Sequence, residues 1–439
     1  MRKFWLDCVL ATAFVFLAFW GLAGLTKLRV FNAFDSLGEA LSDVELTDYV
    51  FSALRDDPKV DTSIVLVNIG MLSRRQIAEQ VTIISKYKPR VIGIDSFFDC
   101  RGRNYDTLNC PALTDELGNL MFGDAIRSAG NVVLVTKLLR NDSTLADNEF
   151  DTLRRSDPIF RDGALAEGFA NLETDAAFQD DVKTCRNFNP VMVVSDSAHR
   201  AFAVELALQY DSAKTNKFLR RGNYLEVINF RGNVFDVMGT TNYPQMFYTL
   251  DVDDVYNENF VSEMIKDKIV IFGYLGNFLG DPSWADKFYT PLNRKMAGKA
   301  NPDMFGAVVH ANVISMILNE DYVEQMPLWQ QVSMAVLICL LNVALFALIN
   351  TYLPLYYDGI TKLLQLIQLL AYSVLMVMIF HWYTFKLNIT LTLAAVALVG
   401  DVYEVYMSVI KNLYIKILGK FSLTPKPADV LMSETPEKQ

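Results

Sequence analysis

The apolar residues of this chain are gathered into blocks rather than spread along it. One block runs from Phe4 to about Leu25. Three more crowd the last third, Leu328–Leu353, Leu363 to about Trp382 and Leu387 to about Val409. A helix of about 20 apolar residues rises roughly 30 Å, enough to cross the hydrocarbon core of a bilayer. Pro354 and Asp358-Gly359 break the chain between the second and third blocks, and His381–Lys386 reads as a short turn between the last two. Residues 26–327 carry no comparable stretch. The segregation explains how a mean hydropathy of +0.20 coexists with 21% charged residues. With 52% hydrophobic residues the chain is not disordered. Its five cysteines are too few for a disulfide scaffold of this length. A net charge of −10 and the absence of a basic run argue against a nucleic-acid partner. The expected organisation is an N-terminal span (1–25), a water-exposed region (26–327), three further spans (328–409) and a short basic tail (410–439).

Basic residues orient the spans. Arg2 and Lys3 precede the first block, and Lys411, Lys416, Lys420 and Lys426 follow the last, which places both ends in the cytoplasm. The middle region then faces outward, into the periplasm if the membrane is the inner membrane of a two-membrane envelope. The first block is longer than the apolar core of a cleaved leader, so an uncleaved anchor is expected, although Gly21-Leu22-Ala23 resembles a cleavage site. Asn342 and Asn350 lie within a span and are expected to hydrogen-bond between helices. Asp7, Asp401 and Glu404 read as solvated boundary residues beside Tyr403 and Tyr406. Among the outward cysteines, Cys100 and Cys110 flank a polar loop and are the natural disulfide, worth about 2–3 kcal/mol as a staple, with Cys185 left over. Three cysteines still allow three single bridges.

The outward region alternates strands and helices. Ser63–Ile69, Val91–Ile94, Asn131–Thr136 and Lys268–Phe272 are short β-branched runs of the kind buried on both faces. Ser73–Tyr87, Glu116–Ser128 and Ser195–Tyr210 have helical spacing, Tyr224–Phe230 reads as a strand, and Phe305–Leu318 reads as an amphipathic helix. This order predicts an α/β domain with a mixed, partly parallel sheet and packed helices, beside a helical membrane part of four spans.

The succession of segments resembles the CHASE type-2 domain, a class of extracellular sensory domains associated with cyclases and histidine kinases. The residues that carry it are VLVNIG (Val65–Gly70), KPRVIGIDSFF (Lys88–Phe98), GFANLETD (Gly168–Asp175), VINFRG (Val227–Gly232), KDKIVIFG (Lys266–Gly273), Asp281 with Thr290-Pro291, and GAVVHANVISMIL (Gly306–Leu318). Gly70 stands where the family commonly has an acidic residue, and a tryptophan–proline segment expected near residue 74 is missing, although Arg74 and Arg75 remain. The resemblance implies one span, an extracytoplasmic sensor, a cluster of spans and a homodimer. About 30 residues follow the last span, too few for a kinase or cyclase core, so the output is expected on a separate partner.

Asp95, Asp281, His310 and Asn312 are the candidate ligand-binding residues. Asp95 ends a strand, and ligands of open α/β sheets bind at the carboxyl ends of strands. A histidine with two carboxylates can hold a metal or a polar ligand. The alternative is structural: Asp95 caps a turn, and His310 and Asn312 hydrogen-bond loop backbone. No G-x-S-x-G, phosphate-loop lysine or H-E-x-x-H motif is present, and with three histidines in the chain we expect no catalytic residue. The sequence leaves any cofactor, like the ligand, unknown. The expectation is a sensor that binds a ligand or protein and signals through its spans; a membrane anchor of an envelope complex is the second reading.

Overall fold

The computed structural model describes residues 2–25, 45–56, 58–98, 115–142, 145, 149–172, 184–235, 245–294, 301–411 and 413. It divides into two compact units. One comprises residues 1–33, 326–375 and 388–439, the other residues 34–325 and 376–387.

The larger unit is built on a seven-stranded sheet. Its strands are β1 (Asp61–Asn68), β2 (Val91–Asp95), β3 (Val132–Leu139), β4 (Thr152–Arg154), β5 (Ala166–Phe169), β6 (Phe247–Leu250) and β7 (Ile269–Gly273). The spatial order is β6-β1-β7-β2-β3-β4, with β5 also paired to β3. Every pairing is parallel except that of β3 with β4. The sheet is therefore mixed and mostly parallel, as the alternation of strands and helices predicts.

The strands read as continuous apolar runs because both faces are covered. Successive side chains leave a strand on opposite sides. Val65, Val67, Ile92, Ile94, Val270 and Phe272 enter one core, and Ile64, Leu66, Val91, Ile269 and Ile271 enter the other. The main helices of the unit are α2 (Arg74–Ser85), α3 (Glu116–Ala129), α4 (Phe202–Tyr210), α5 (Ser212–Leu219), α6 (Val252–Tyr256) and α7 (Gly306–Asn319); α1 (Arg2–Leu25) precedes them. Side chains of α2, α3 and α6 fill the first core, and those of α4, α5 and α7 the second. Local signals set the helix ends. Ser73 and Gln76 form a capping box on α2, worth about 1 kcal/mol. Asp115 accepts the Gly118 N–H at 2.9 Å at the start of α3, and Gly130 closes it in the left-handed conformation. A Cβ at Gly168 would stand 2.7 Å from the Cα of Phe202, so this glycine lets α4 dock its first turn on β5.

Three segments depart from expectation. Ser195–Tyr210 is not one helix: Val191–Val194 and Ser197–Arg200 form a hairpin, and α4 begins only at Phe202. Ser195 and Asp196, at φ 47° and 62°, make its two-residue turn. Tyr224–Phe230 contributes only the short strand Glu226–Val227. The helix at Gly306 is not amphipathic, since every residue from Gly306 to Leu318 is buried. Cys100 and Cys110 lie outside the described residues, and no disulfide forms among the cysteines described. Cys185 is buried in the core of the unit.

Among the described residues four helices are long and apolar enough to cross a membrane, at Phe4–Gly21, Leu328–Tyr352, Pro354–Tyr383 and Thr390–Ile410. The last three contain α8 (Leu328–Tyr352), α9 (Tyr357–Tyr383) and α10 (Thr390–Val405). In the smaller unit Cys8, Ala11 and Val15 of α1 pack with Cys339, Val343 and Phe346 of α8 and with Ala395 and Val399 of α10. Gln365 donates to the Val396 carbonyl at 2.8 Å, and Lys411 pairs with Asp7 at 2.7 Å. Asn342 donates to Ile338, one turn back on its own helix, rather than to a neighbour. The last two turns of α9 and the residues after it belong to the larger unit: Phe380 is a core residue there, and Phe385–Lys386 pairs with Glu324–Gln325.

Candidate functional site

The carboxyl ends of the parallel strands carry a row of polar residues, and the connection from Tyr274 to Asp286 runs on from β7. One half of this edge is tied up. Asn68, fully buried at the end of β1, donates to Asp251 Oδ1 at 2.9 Å and to the Gly276 carbonyl at 3.1 Å, and its Oδ1 accepts the N–H groups of Gly70 and Leu275. Asp251 also accepts from Leu279 N at 3.0 Å and Val252 N at 2.9 Å. Asp281 organises the same connection. It accepts from Asn277 N, Asn277 Nδ2 and Ser283 N, and these bonds hold its carboxyl below the usual carboxylate range. Its role here is that of a loop-folding residue.

The other half is different. Asp95 ends β2 beside Gly273, the last residue of β7. A Cβ on Gly273 would stand 2.5 Å from Ala307 Cβ and 3.7 Å from Asp95 Cβ, so the glycine admits the first turn of α7 against the acid. Asp286 comes to the same place. Its carboxylate oxygens lie 3.5 and 3.8 Å from where a Gly306 Cβ would be, at the N-terminus of α7, and its carbonyl accepts the Gly306 N–H at 3.1 Å. Among the described residues no hydrogen bond reaches the Asp95 carboxylate. Burial pushes it up to about 7. Asp286 is also raised to about 7, by burial first and then by the charge of Asp95. Much of the Asp286 residue remains open to solvent, so screening tempers its shift. Two carboxyls that repel each other can take up a proton or a cationic group, and Asp286 keeps a face toward solvent.

His310 and Asn312 stand apart from this pair in their bonding. His310 packs edge-on against Phe202, with ring centroids 5.4 Å apart, and is hydrogen-bonded to the Ala170 backbone. Burial drives it down to about 4, so it is neutral at physiological pH. Asn312 Oδ1 accepts from Arg231 N at 2.7 Å and Gly232 N at 3.1 Å, and its amide donates to Gly232 O and Val308 O. Both hold backbone in place. Among the described residues no group of three or more histidines, cysteines and acids could hold a metal ion.

Sequence reading missed Asp286, Asn68 and Asp303. Asn68 was visible as the polar residue closing an apolar strand. Asp303 accepts from Thr290 Oγ1 at 2.5 Å and Thr290 N at 2.9 Å, so the Thr290-Pro291 motif serves to bind this buried acid, which burial lifts to about 7. Nothing in the local pattern marks Asp286, which acquires its neighbours only through the tertiary fold.

The family model of the CHASE2 domain matches residues 11–349. No curated protein and no solved structure matches the chain. The family is one of extracellular sensory domains, and the match runs from the first apolar helix through the sheet into α8. The chain thus belongs to the CHASE2 domain family.

Proposed function

We propose that this chain is a multispan sensory protein of a bacterial inner membrane, with its larger unit in the periplasm and both termini in the cytoplasm. The larger unit binds a ligand at the Asp95–Asp286 pair and passes the signal through its spans to a separate protein. Membership of a sensory family supports the class, and the pair of raised acids carries the site. A cationic ligand offered to Asp95 replaces repulsion with two charge-assisted contacts. Trp284, two residues before Asp286 and 58% exposed, adds an aromatic surface on which a cation can rest. Asp281, His310 and Asn312 then shape the site without touching the ligand. Signalling requires only that the ligand prefer one arrangement of the spans over another.

Two measurements test this. In a mild-detergent pull-down of the full chain we expect a cytoplasmic signalling protein in stoichiometric amount; recovery of envelope components alone sinks the sensor and leaves the membrane anchor. In the purified chain, a pool of cationic metabolites should stabilise the protein, and Asp95→Asn should remove that stabilisation.

A further inference from the structure

A polar cavity of ≈ 220 Å³ lies in the larger unit. Its wall brings together Arg55 and Asp56 from the segment before β1, Asn229 and Asp321 from the body of the unit, and His381 and Thr384 from the end of α9 and the residue after it. Phe51 and Phe380 supply the apolar part, edge to face at 5.5 Å. Arg55 is preorganised. Its Nη1 donates to Asn229 Oδ1 at 2.9 Å and to the Phe230 carbonyl at 2.6 Å, and the guanidinium lies over the Phe51 ring at 5.5 Å. Asn229 is buried and is itself fixed by donating to the Asp321 carbonyl at 3.0 Å.

The cavity presents both signs of charge. A simple anion entering it meets Asp56 and Asp321, and a simple cation meets Arg55. A molecule carrying both charges satisfies all of them. The volume is below that of an ordinary small-molecule site and suits a headgroup-sized ligand. Trp382 and Tyr383, next to His381, are 65% and 73% exposed. Aromatic residues at the end of a spanning helix mark the headgroup level of a bilayer.

We propose that this cavity binds the phosphate–ammonium headgroup of a zwitterionic lipid of the phosphatidylethanolamine type. The phosphate lies on Arg55 and His381 and the ammonium on Asp56 and Asp321. The assignment rests on α9 being a membrane span. It is separate from the Asp95–Asp286 site and stands or falls without it.

The test uses the full chain in nanodiscs of phosphatidylglycerol with or without phosphatidylethanolamine, read by thermal melting and by native mass spectrometry of retained lipid. Phosphatidylethanolamine should raise the melting temperature and be retained selectively. Asp56→Asn, at an exposed position outside any helix or strand, and His381→Leu should each weaken retention about tenfold or more. No preference over phosphatidylglycerol, or retention unchanged in both variants, overturns the proposal. In a parallel arm, soluble phosphoethanolamine is added to the detergent-solubilised chain. Stabilisation there, lost in the same variants, upholds the cavity's chemistry and moves its source from the lipid to a free zwitterion.

Discussion

The two halves of the sheet's carboxyl edge are made of the same residue types and do opposite things. Around Asn68 every polar atom of the side chain is used, and the acids Asp251 and Asp281 accept backbone N–H groups. Around Asp95 burial disfavours the charge of both acids, and the charge of Asp95 adds to that at Asp286. The first half folds the connection after β7; the second keeps an unmet demand for a proton or a cation. Polar residues at strand ends thus divide into those the backbone has already claimed and those it has not, and composition does not reveal which.

The comparison can be broken most severely on the scaffold side. Asn68→Ala removes four hydrogen bonds at a fully buried position. It should cost about 3–5 kcal/mol, read from the melting of the full chain. A loss under 1 kcal/mol would mean that the connection is held otherwise. On the site side the sign reverses. Asp95→Asn should stabilise the chain at pH 8 by about 1–2 kcal/mol, after allowing for solvent screening, with no gain at pH 4. Equal effects at both pH values would show that Asp95 is not raised.

Smaller, and diagnostic of the pair, is the double variant. Asp95→Asn with Asp286→Asn should gain less than the sum of the single variants, by about 0.5–1 kcal/mol, because either change alone relieves the shared repulsion. Strict additivity separates the two acids.

The same shifts give a pH profile. Asp95, Asp286 and Asp303 are raised to about 7, so the folded state holds protons that the unfolded state has released between about pH 4 and 7. Their ionisation costs stability as pH rises through 7. His310, lowered to about 4, acts oppositely: its contribution is full above pH 6.5 and is lost as pH falls toward 4. Three acids outweigh one histidine, so the larger unit should melt higher near pH 5.5 than at pH 8. A melting temperature that rises from pH 5.5 to 8 contradicts these assignments.

The strands of the central sheet were legible because burial on both faces writes them as unbroken β-branched runs. The four long apolar helices were legible from the length of their apolar runs. The Ser195–Tyr210 segment was not, since Ala198, Ala201, Ala203 and Ala207 carry a helix-like composition back across its hairpin, and its turn depends on two non-glycine residues at positive φ. Asp95 was visible as the acid directly after a strand. Its partner Asp286 was not, because the chain reaches it only after an irregular connection whose course is set by Asn68, Asp251 and Asp281. His310 and Asn312 stood out because polar side chains in an apolar helix are conspicuous. Their partners, Phe202 and the Arg231-Gly232 backbone, come from distant segments that no local pattern announces.

The strand order has a consequence for biogenesis. Both neighbours of β1, the strands β6 and β7, are drawn from residues 247–273, whereas β1 itself ends at Asn68. As the chain is made, this strand waits with two open edges and two apolar faces until most of the unit has followed. Non-local pairing of this kind folds slowly and leaves adhesive surface exposed. A strand paired on both edges in the finished sheet is thus among the most exposed elements of the nascent one, and holdase chaperones should recognise it there first.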